Sequence, residues 1–457
     1  MFNKHIEDFN KNLIGLREFV DLIDPFLNEK HTQNSTPITN LLVSGVLKDL
    51  LSKDKLDGAE KKRLEQLKSE IDNSILSIFK KPIDVQIEKI DNPKADRSEL
   101  PSIKLKLKAD KDIRLYMENA EKIKQHINLL YKNSFISLLS SVEWFFSQIL
   151  HYYYDKYPES AGIQKKTMTL ADLKGFDSIS DAEKHLLDLK IEEVLRGNFE
   201  SWLVLLKGEL SLKLGYIDPI KDELIEIYQR RNLLVHNGGI INSIYISKVP
   251  EEFRKGIKLK TSLGVDKEYL DNAISKLQKA FILIASELWK NLDRTDISRG
   301  GILMNIVYEN LLQSRWDICE GLSHFIINDN HLPAVDKVIA QLNFWLCKKR
   351  MGNYEKVKRE IESTNYSDKK EIFQLGLFAL KDDKKSFFEI LPAALDSQQL
   401  NIERLEEFPI FKEMRESEEY GKFKVETKYF KDSSYLSKPV KNDTDEKKPR
   451  PRKKITK

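Results

Sequence analysis

Between Arg231 and His236 the chain reads RNLLVH and then stops on Asn237-Gly238-Gly239. A guanidinium grips phosphate or carboxylate through a planar fork of donors, and an imidazole takes up and releases protons near neutral pH. Asn232 follows the arginine directly and precedes His236 by four, so on a helix its amide shares a face with the imidazole. Whether the three can serve one site depends on where a helix would place them.

The surrounding pattern makes their placement unusual. With about 100° per residue counted from Ile220, Leu224, Ile227, Tyr228, Leu234 and Val235 gather on one face. Arg231 falls in the middle of that face, where its charge needs a partner or a polar cleft. Arg230 points away from it and is expected in solvent. Arg231 and His236 diverge by about 140° on a regular helix. One site can use both only if the arginine curls round, the last turn distorts, or the site lies between two helices. Gly238 and Gly239 suit a left-handed helix cap.

A second polar residue interrupts an apolar stripe. In SFISLLSSVEWFFSQIL, Glu143 follows Leu139 by four and precedes Phe146 by three. An inward carboxylate on one helix and an inward guanidinium on another predict an ion pair, Glu143–Arg231. That pair serves either to orient a bundle or to support a site. Tyr228, one turn before Arg231, reads as packing rather than stacking.

Other chemistries find little here. There is no GxxxxGK[ST] loop, no GxGxxG after a strand, no HExxH and no GxSxG. The eight histidines are His5, His31, His126, His151, His185, His236, His324 and His331, and no two are spaced as helical metal ligands. Neither metal nor cofactor is expected. Cys319 and Cys347, the only cysteines, make no disulfide framework or zinc site and suit a reducing compartment. A net charge of +4 is too small to argue for nucleic acid by itself. The N-terminus lacks the apolar core of a signal peptide, and the most apolar run, AFILIASELW, is about half a membrane span. A cytoplasmic chain with no membrane partner follows by elimination.

The elements that must position these residues are mainly helices, so the expected fold class is all-α. Residues 1–82 form an N-terminal helical region with apolar residues at three- and four-residue spacing. Residues 83–111 form a connector whose VQIEKI and SIKLKLKAD alternate with period two, as short extended segments. Residues 112–292 form a central helical bundle with a hairpin expected at EFRKGIKLKTSLGV. Residues 300–430 form helical pairs turning at Gly352-Asn353-Tyr354 and Lys381-Asp382-Asp383, similar to tetratricopeptide-type repeats but irregular in period. Residues 431–457 have almost no apolar residues and are expected to be disordered. Their basic cluster, Lys447 to Lys457, suits nucleic acid, another acidic surface, or simple solubilisation.

RRNLLVHNGG resembles the Arg-x4-6-His signature of the HEPN superfamily, with an asparagine directly after the arginine. SFISLLSSVEWFFSQIL resembles the early helix of bacterial HEPN domains, and NGGIINSIYI their continuation past the histidine. IKLKTSLGVDKEYLDNAISKLQKAFILIASEL is similar to their closing hairpin and last helix, so the likeness covers about residues 112–292. The resemblance implies a helical bundle that dimerises so that two Arg/His motifs face one cleft. It implies a metal-independent endoribonuclease of a phage-defence, abortive-infection or toxin–antitoxin system. His236 would then be the general acid/base, with Arg231 as transition-state clamp. Asn232 would orient His236 or a phosphate, and Glu143 would position Arg231. The implied partners are RNA, a second copy of the chain, and a protein trigger or antitoxin at residues 300–430. Two other readings stand beside it: a non-catalytic HEPN scaffold that binds a partner through its C-terminal helices, and a helical protein in which the motif is accidental.

Overall fold

A computed structural model describes residues 2–51, 58–80, 85–90, 102–107 and 111–430. The chain is mainly α-helical, as expected. It opens with two helices, α1 (Phe2–Leu51) and α2 (Gly58–Phe79). A two-stranded antiparallel ribbon, β1 (Val85–Ile90) and β2 (Ser102–Leu107), pairs Val85 with Leu107 and Ile90 with Ser102, where the connector was expected to be extended. The bundle helices follow: α3 (Lys111–Lys156), α4 (Leu170–Leu173), α5 (Ile179–Leu195), α6 (Phe199–Lys207), α7 (Lys221–His236), α8 (Ser243–Lys248) and α9 (Lys267–Leu292). Beyond them lie α10 (Ser298–Leu312), α11 (Trp316–Asn328), α12 (Ala334–Arg350), α13 (Glu355–Ser363), α14 (Glu371–Leu380), α15 (Lys384–Asp396), α16 (Ile402–Glu407), α17 (Lys412–Arg415) and α18 (Glu418–Glu426). The basic tail lies outside the described residues.

The long α3 earns its place through its apolar stripe. Phe135, Leu138, Leu139, Val142, Phe145, Phe146 and Ile149 are fully buried. They meet α9, whose AFILIASELW run is core from end to end and not a membrane segment. Among the described residues no helix is long and apolar enough to cross a membrane.

The first block does not stand apart from this bundle. Phe2, Ile6, Phe9, Leu13 and Val20 of α1 share one continuous core with α3 and α9. Phe9 stacks on Phe145 at 4.2 Å between centroids, and Phe2 on Tyr152 at 3.9 Å. Only the far end of α1 turns to a separate small cluster, with Leu41, Ile75, Phe79 and Ile113. The same large core continues through α10, α11 and α12, so residues 300–430 begin inside it. The more distal helices α14 to α18 surround a second core around Phe387, Leu391 and Phe411. Both predicted helical pairs are present, α12 with α13 turning through Gly352 (φ +71°) and α14 with α15 turning through Asp382 (φ +56°).

Buried polar groups set how these helices meet. Arg17 of α1 donates to Asp271 at 3.0 Å and to Ser275 at 2.6 Å on α9. Burial and the nearby charge of Arg315 pull its guanidinium down to about 10. Asn10, Gln278 and Asn310 bond one another across α1, α9 and α10. At the start of α10, Arg299 is wholly buried and donates to Asp329 at 2.7 Å and to the Asp293 carbonyl at 3.1 Å. Burial works against the Asp329 carboxylate. The Arg299 hydrogen bond and the His331 amide outweigh it, so the group titrates below its ordinary range.

Leaving one partner of such a pair unmet in the interior costs about 3–5 kcal/mol. Arg299→Met is therefore expected to lower the unfolding free energy from urea titration by an amount of that order. Because the Asp329 carboxyl is depressed in the fold, its share of stability is present above the unfolded carboxylate pKa. It is lost as pH falls through the folded value. Acid titrations of the wild type and the variant should converge, and parallel curves would deny the linkage.

Candidate functional site

The helix α7 is buried on most sides, with Leu224, Ile225, Ile227, Tyr228, Leu233 and Leu234 in the core and the polar Glu226 and Gln229 buried among them. A helix enclosed in this way cannot send all its polar residues outward, which is why its two adjacent arginines take different roles. Arg230, expected in solvent, is held in the interior. It donates to Glu226 at 2.8 Å and to the Gly264 carbonyl at 3.0 Å, and its guanidinium lies 3.7 Å from the Tyr269 ring centre. Glu226 also accepts from Tyr245 Oη at 2.7 Å and Tyr269 Oη at 2.6 Å. Burial presses the Arg230 charge down, and the surrounding Tyr269 and Glu226 more than restore it, so the group titrates above its usual value.

Arg231 takes the opposite side. Its Nη2 lies 3.4 Å from Glu143 Oε1 on α3, the pairing expected from the two interrupted stripes. Its Nη1 donates to Asn232 Oδ1 at 3.2 Å, so Asn232 serves the guanidinium and not His236. Tyr228 is packed as expected, stacked on Phe199 at 5.1 Å and edge-on to Trp202 at 5.5 Å. Its hydroxyl and Arg231 Nε are both buried, and neither has a hydrogen-bond partner. Burial pushes the Tyr228 phenol far up, and Glu143 adds to that. Burial also raises the Glu143 carboxyl above its usual range, more than the neighbouring Arg231 lowers it.

The end of α7 explains where His236 points. The amides of Asn237 and Gly239 both bond the Leu233 carbonyl, at 2.9 and 3.1 Å, through left-handed glycines at φ +59° (Gly238) and +83° (Gly239). The chain then runs extended beside residues 260–263, with Leu263 N–H to the Gly239 carbonyl at 2.8 Å and Ile241 N–H to the Thr261 carbonyl at 3.0 Å. This replaces the hairpin expected within 252–265. Its first half coils into a 3-10 turn, Glu251–Arg254, and the alternating half pairs instead with the segment behind the two glycines. Val235, expected on the buried stripe, is 43% exposed, because the core ends one residue earlier at Leu234. His236 is exposed as well, and no described residue hydrogen-bonds its ring.

All five residues singled out in the sequence line one cleft of about 740 Å³. Tyr228, Arg231, Asn232 and His236 come from α7, and Glu143 from α3. The loop between α5 and α6 contributes Arg196 and Asn198, and α8 contributes Lys248, none of which the sequence pattern had marked. A cleft between helices reconciles the wide angle between Arg231 and His236, since it need not lie on one face of α7. Among the described residues no group of three or more His, Cys, Asp or Glu is arranged to hold a metal ion. No protein-family model, curated protein or solved structure matches the chain.

The two neighbouring arginines should part company on substitution. Arg230→Ala strands Glu226 in the interior and is expected to cost about 3–5 kcal/mol. Arg231→Ala removes a partly exposed pair with one long contact, worth about 0–1 kcal/mol, and should unfold at nearly the wild-type midpoint. Equal losses in chemical denaturation would contradict this division. Gly239→Ala tests the turn: its Cβ would stand 2.9 Å from the Leu263 carbonyl at a positive φ. A lowered melting temperature is expected for it, and a smaller drop for Gly238→Ala, which has open space.

Proposed function

We propose that the chain is a HEPN-type, metal-independent endoribonuclease that cleaves RNA by attack of a ribose 2′-hydroxyl on the adjacent phosphate. The observation that carries the reading is the convergence of Arg231, Asn232, His236 and Glu143 from two helices on one cleft. Such cleavage needs a base for the 2′-hydroxyl proton, an acid for the leaving 5′-oxygen, and positive charge on the crowded phosphate. An exposed imidazole free of protein partners is available for proton transfer. A guanidinium with only one monodentate carboxylate contact keeps donors to spare for phosphate.

The reading includes a homodimer, with a second copy covering the cleft mouth. Val235, Ile240 and Ile244 are exposed apolar residues in the segment that carries His236, and supply a surface for it. It also includes a cytoplasmic setting in phage defence or a toxin–antitoxin response, with a protein trigger or antitoxin received by the C-terminal helices.

The test is digestion of RNA in excess EDTA, with the fragment ends identified. Wild type should cut and leave 2′,3′-cyclic phosphate, and His236→Ala should lose about 10²–10⁴ in rate. Cutting unchanged by that substitution would remove His236 from the chemistry. Intact RNA with a folded wild type would count against the ribonuclease and favour a binding module.

A further inference from the structure

Acid–base catalysis of this reaction needs two proton carriers, and α7 carries one. A second copy of the chain would supply another imidazole only if two His236 rings met at one phosphate. The cleft contains a different candidate inside the same chain. Glu143 stands on α3 across from α7, lines the cleft that His236 also lines, and is neither fully buried nor free in water, at 31% exposure. Its one charged neighbour within ion-pair distance is Arg231, at 3.4 Å through a single oxygen. The other group facing it is the Tyr228 hydroxyl, whose titration is displaced by the Glu143 charge.

The local bonding is also wrong for a purely structural pair. A bidentate arginine–carboxylate fork uses both oxygens and two donors, and such pairs lock a bundle. Here Arg231 divides its donors between Glu143 and Asn232, while its Nε and the Tyr228 hydroxyl have no acceptor although both are buried. Arg230, one residue away, also meets its glutamate through one contact, but it is the Nε that donates there, and the Gly264 carbonyl and the Tyr269 ring complete its setting. Two buried donors without acceptors stand beside a carboxylate of the cleft, so an anionic oxygen brought to them would find a proton acceptor next to it. Burial also holds the Glu143 carboxyl above the ordinary range, which brings its basicity closer to that of a working general base.

We infer that Glu143 is the general base of the cleft and His236 its general acid, so that one chain holds both proton carriers. The inference rests on the ribonuclease reading above and deepens it. In the step, the Glu143 carboxylate takes the 2′-hydroxyl proton as the 2′-oxygen bonds to phosphorus. The bond from phosphorus to the 5′-oxygen breaks, and the His236 imidazolium gives its proton to that oxygen. Arg231 Nε and the Tyr228 hydroxyl donate to the phosphoryl oxygens. The products are a 2′,3′-cyclic phosphate and a free 5′-hydroxyl, with Glu143 protonated and His236 neutral. Exchange with water restores both.

Glu143→Gln separates base from prop, because a glutamine carbonyl still accepts from Arg231 but cannot take a proton. The experiment follows kcat/KM against pH on a short single-stranded RNA in EDTA, for the full-length wild type, Glu143→Gln and Glu143→Asp. Melting curves verify that each is folded. The expected wild-type profile is a bell, rising on the acid side as Glu143 ionises and falling on the alkaline side as His236 loses its proton. Glu143→Gln should fall about 10²–10⁴-fold and lose the acid limb, and Glu143→Asp should recover the limb with part of the rate. A wild type that cuts while Glu143→Gln stays within tenfold and keeps its acid limb overturns this inference alone. A wild type that leaves the RNA whole overturns the ribonuclease reading and this inference with it.

Discussion

The buried pair of Glu226 and Arg230 is the constraint on which the rest of the cleft depends. Glu226 accepts three hydrogen bonds, from Arg230, Tyr245 and Tyr269, and Arg230 closes the set by stacking on Tyr269 and bonding the Gly264 carbonyl. A carboxylate removed from water is tolerable only when its acceptor sites are filled in this way. Because Tyr245 belongs to α8 and Tyr269 to α9, the network fixes the rotation of α7 against both. Adjacent residues on a helix differ by about 100°. Locking Arg230 inward toward α9 therefore turns Arg231 to the other side, where α3 and Glu143 wait.

The wider bundle repeats this division between apolar mass and a few polar settings. Phe and Leu side chains of α1, α3 and α9 provide the burial but are indifferent to small rotations. Arg17 with Asp271 and Ser275, and Asn10 with Gln278 and Asn310, fix which turn of α1 faces which turn of α9 and α10. Their effect on the site is indirect but physical. The carboxylate of Glu143 is presented by α3, and α3 is clasped along its length by α1 through Phe9–Phe145 and Phe2–Tyr152. The N-terminal helix thus helps to hold the wall opposite α7.

Some of this was legible in the amino-acid order, and the reasons differ residue by residue. Glu143 and Arg231 each interrupt an apolar stripe, and a charge on such a stripe must find a partner, so their pairing could be anticipated. Arg230 could not be placed by the same logic. A helical wheel assigns the off-stripe side to water, and α7 has no such side because α8, α9 and the 239–264 segment cover it. The i,i+4 spacing of Glu226 and Arg230 was the available signal. The hairpin expected at EFRKGIKLKTSLGV does not close on itself: Lys260 sits in a turn at φ +65°, and Ser262 pairs with Ile240 instead. Two positive-φ glycines after α7 made Gly239–Ile241 the partner. The first block's amphipathic pattern likewise declared an apolar face without saying that α3 and α9 would receive it.

Arg230 and Arg231 make a local comparison of what turns a charged residue toward structure or toward chemistry. They share a type, a helix and a distance of one residue, and each has a glutamate within reach. Arg230 has its pairing donor met by a glutamate that is itself saturated, so any rearrangement there exposes a buried charge and is resisted. Arg231 meets its glutamate at 3.4 Å through one contact and keeps a buried Nε with no acceptor. An unmet donor in the interior is unfavourable by itself. The fold keeps this unmet donor beside a carboxyl that burial makes more basic and a phenol that also lacks an acceptor. That combination gains most from an oxygen-rich anion entering the cleft, because one ligand would satisfy several groups at once. The difference in bonding, rather than the identity of the residues, leaves the Arg231 side of α7 with hydrogen-bonding capacity that the Arg230 side has used.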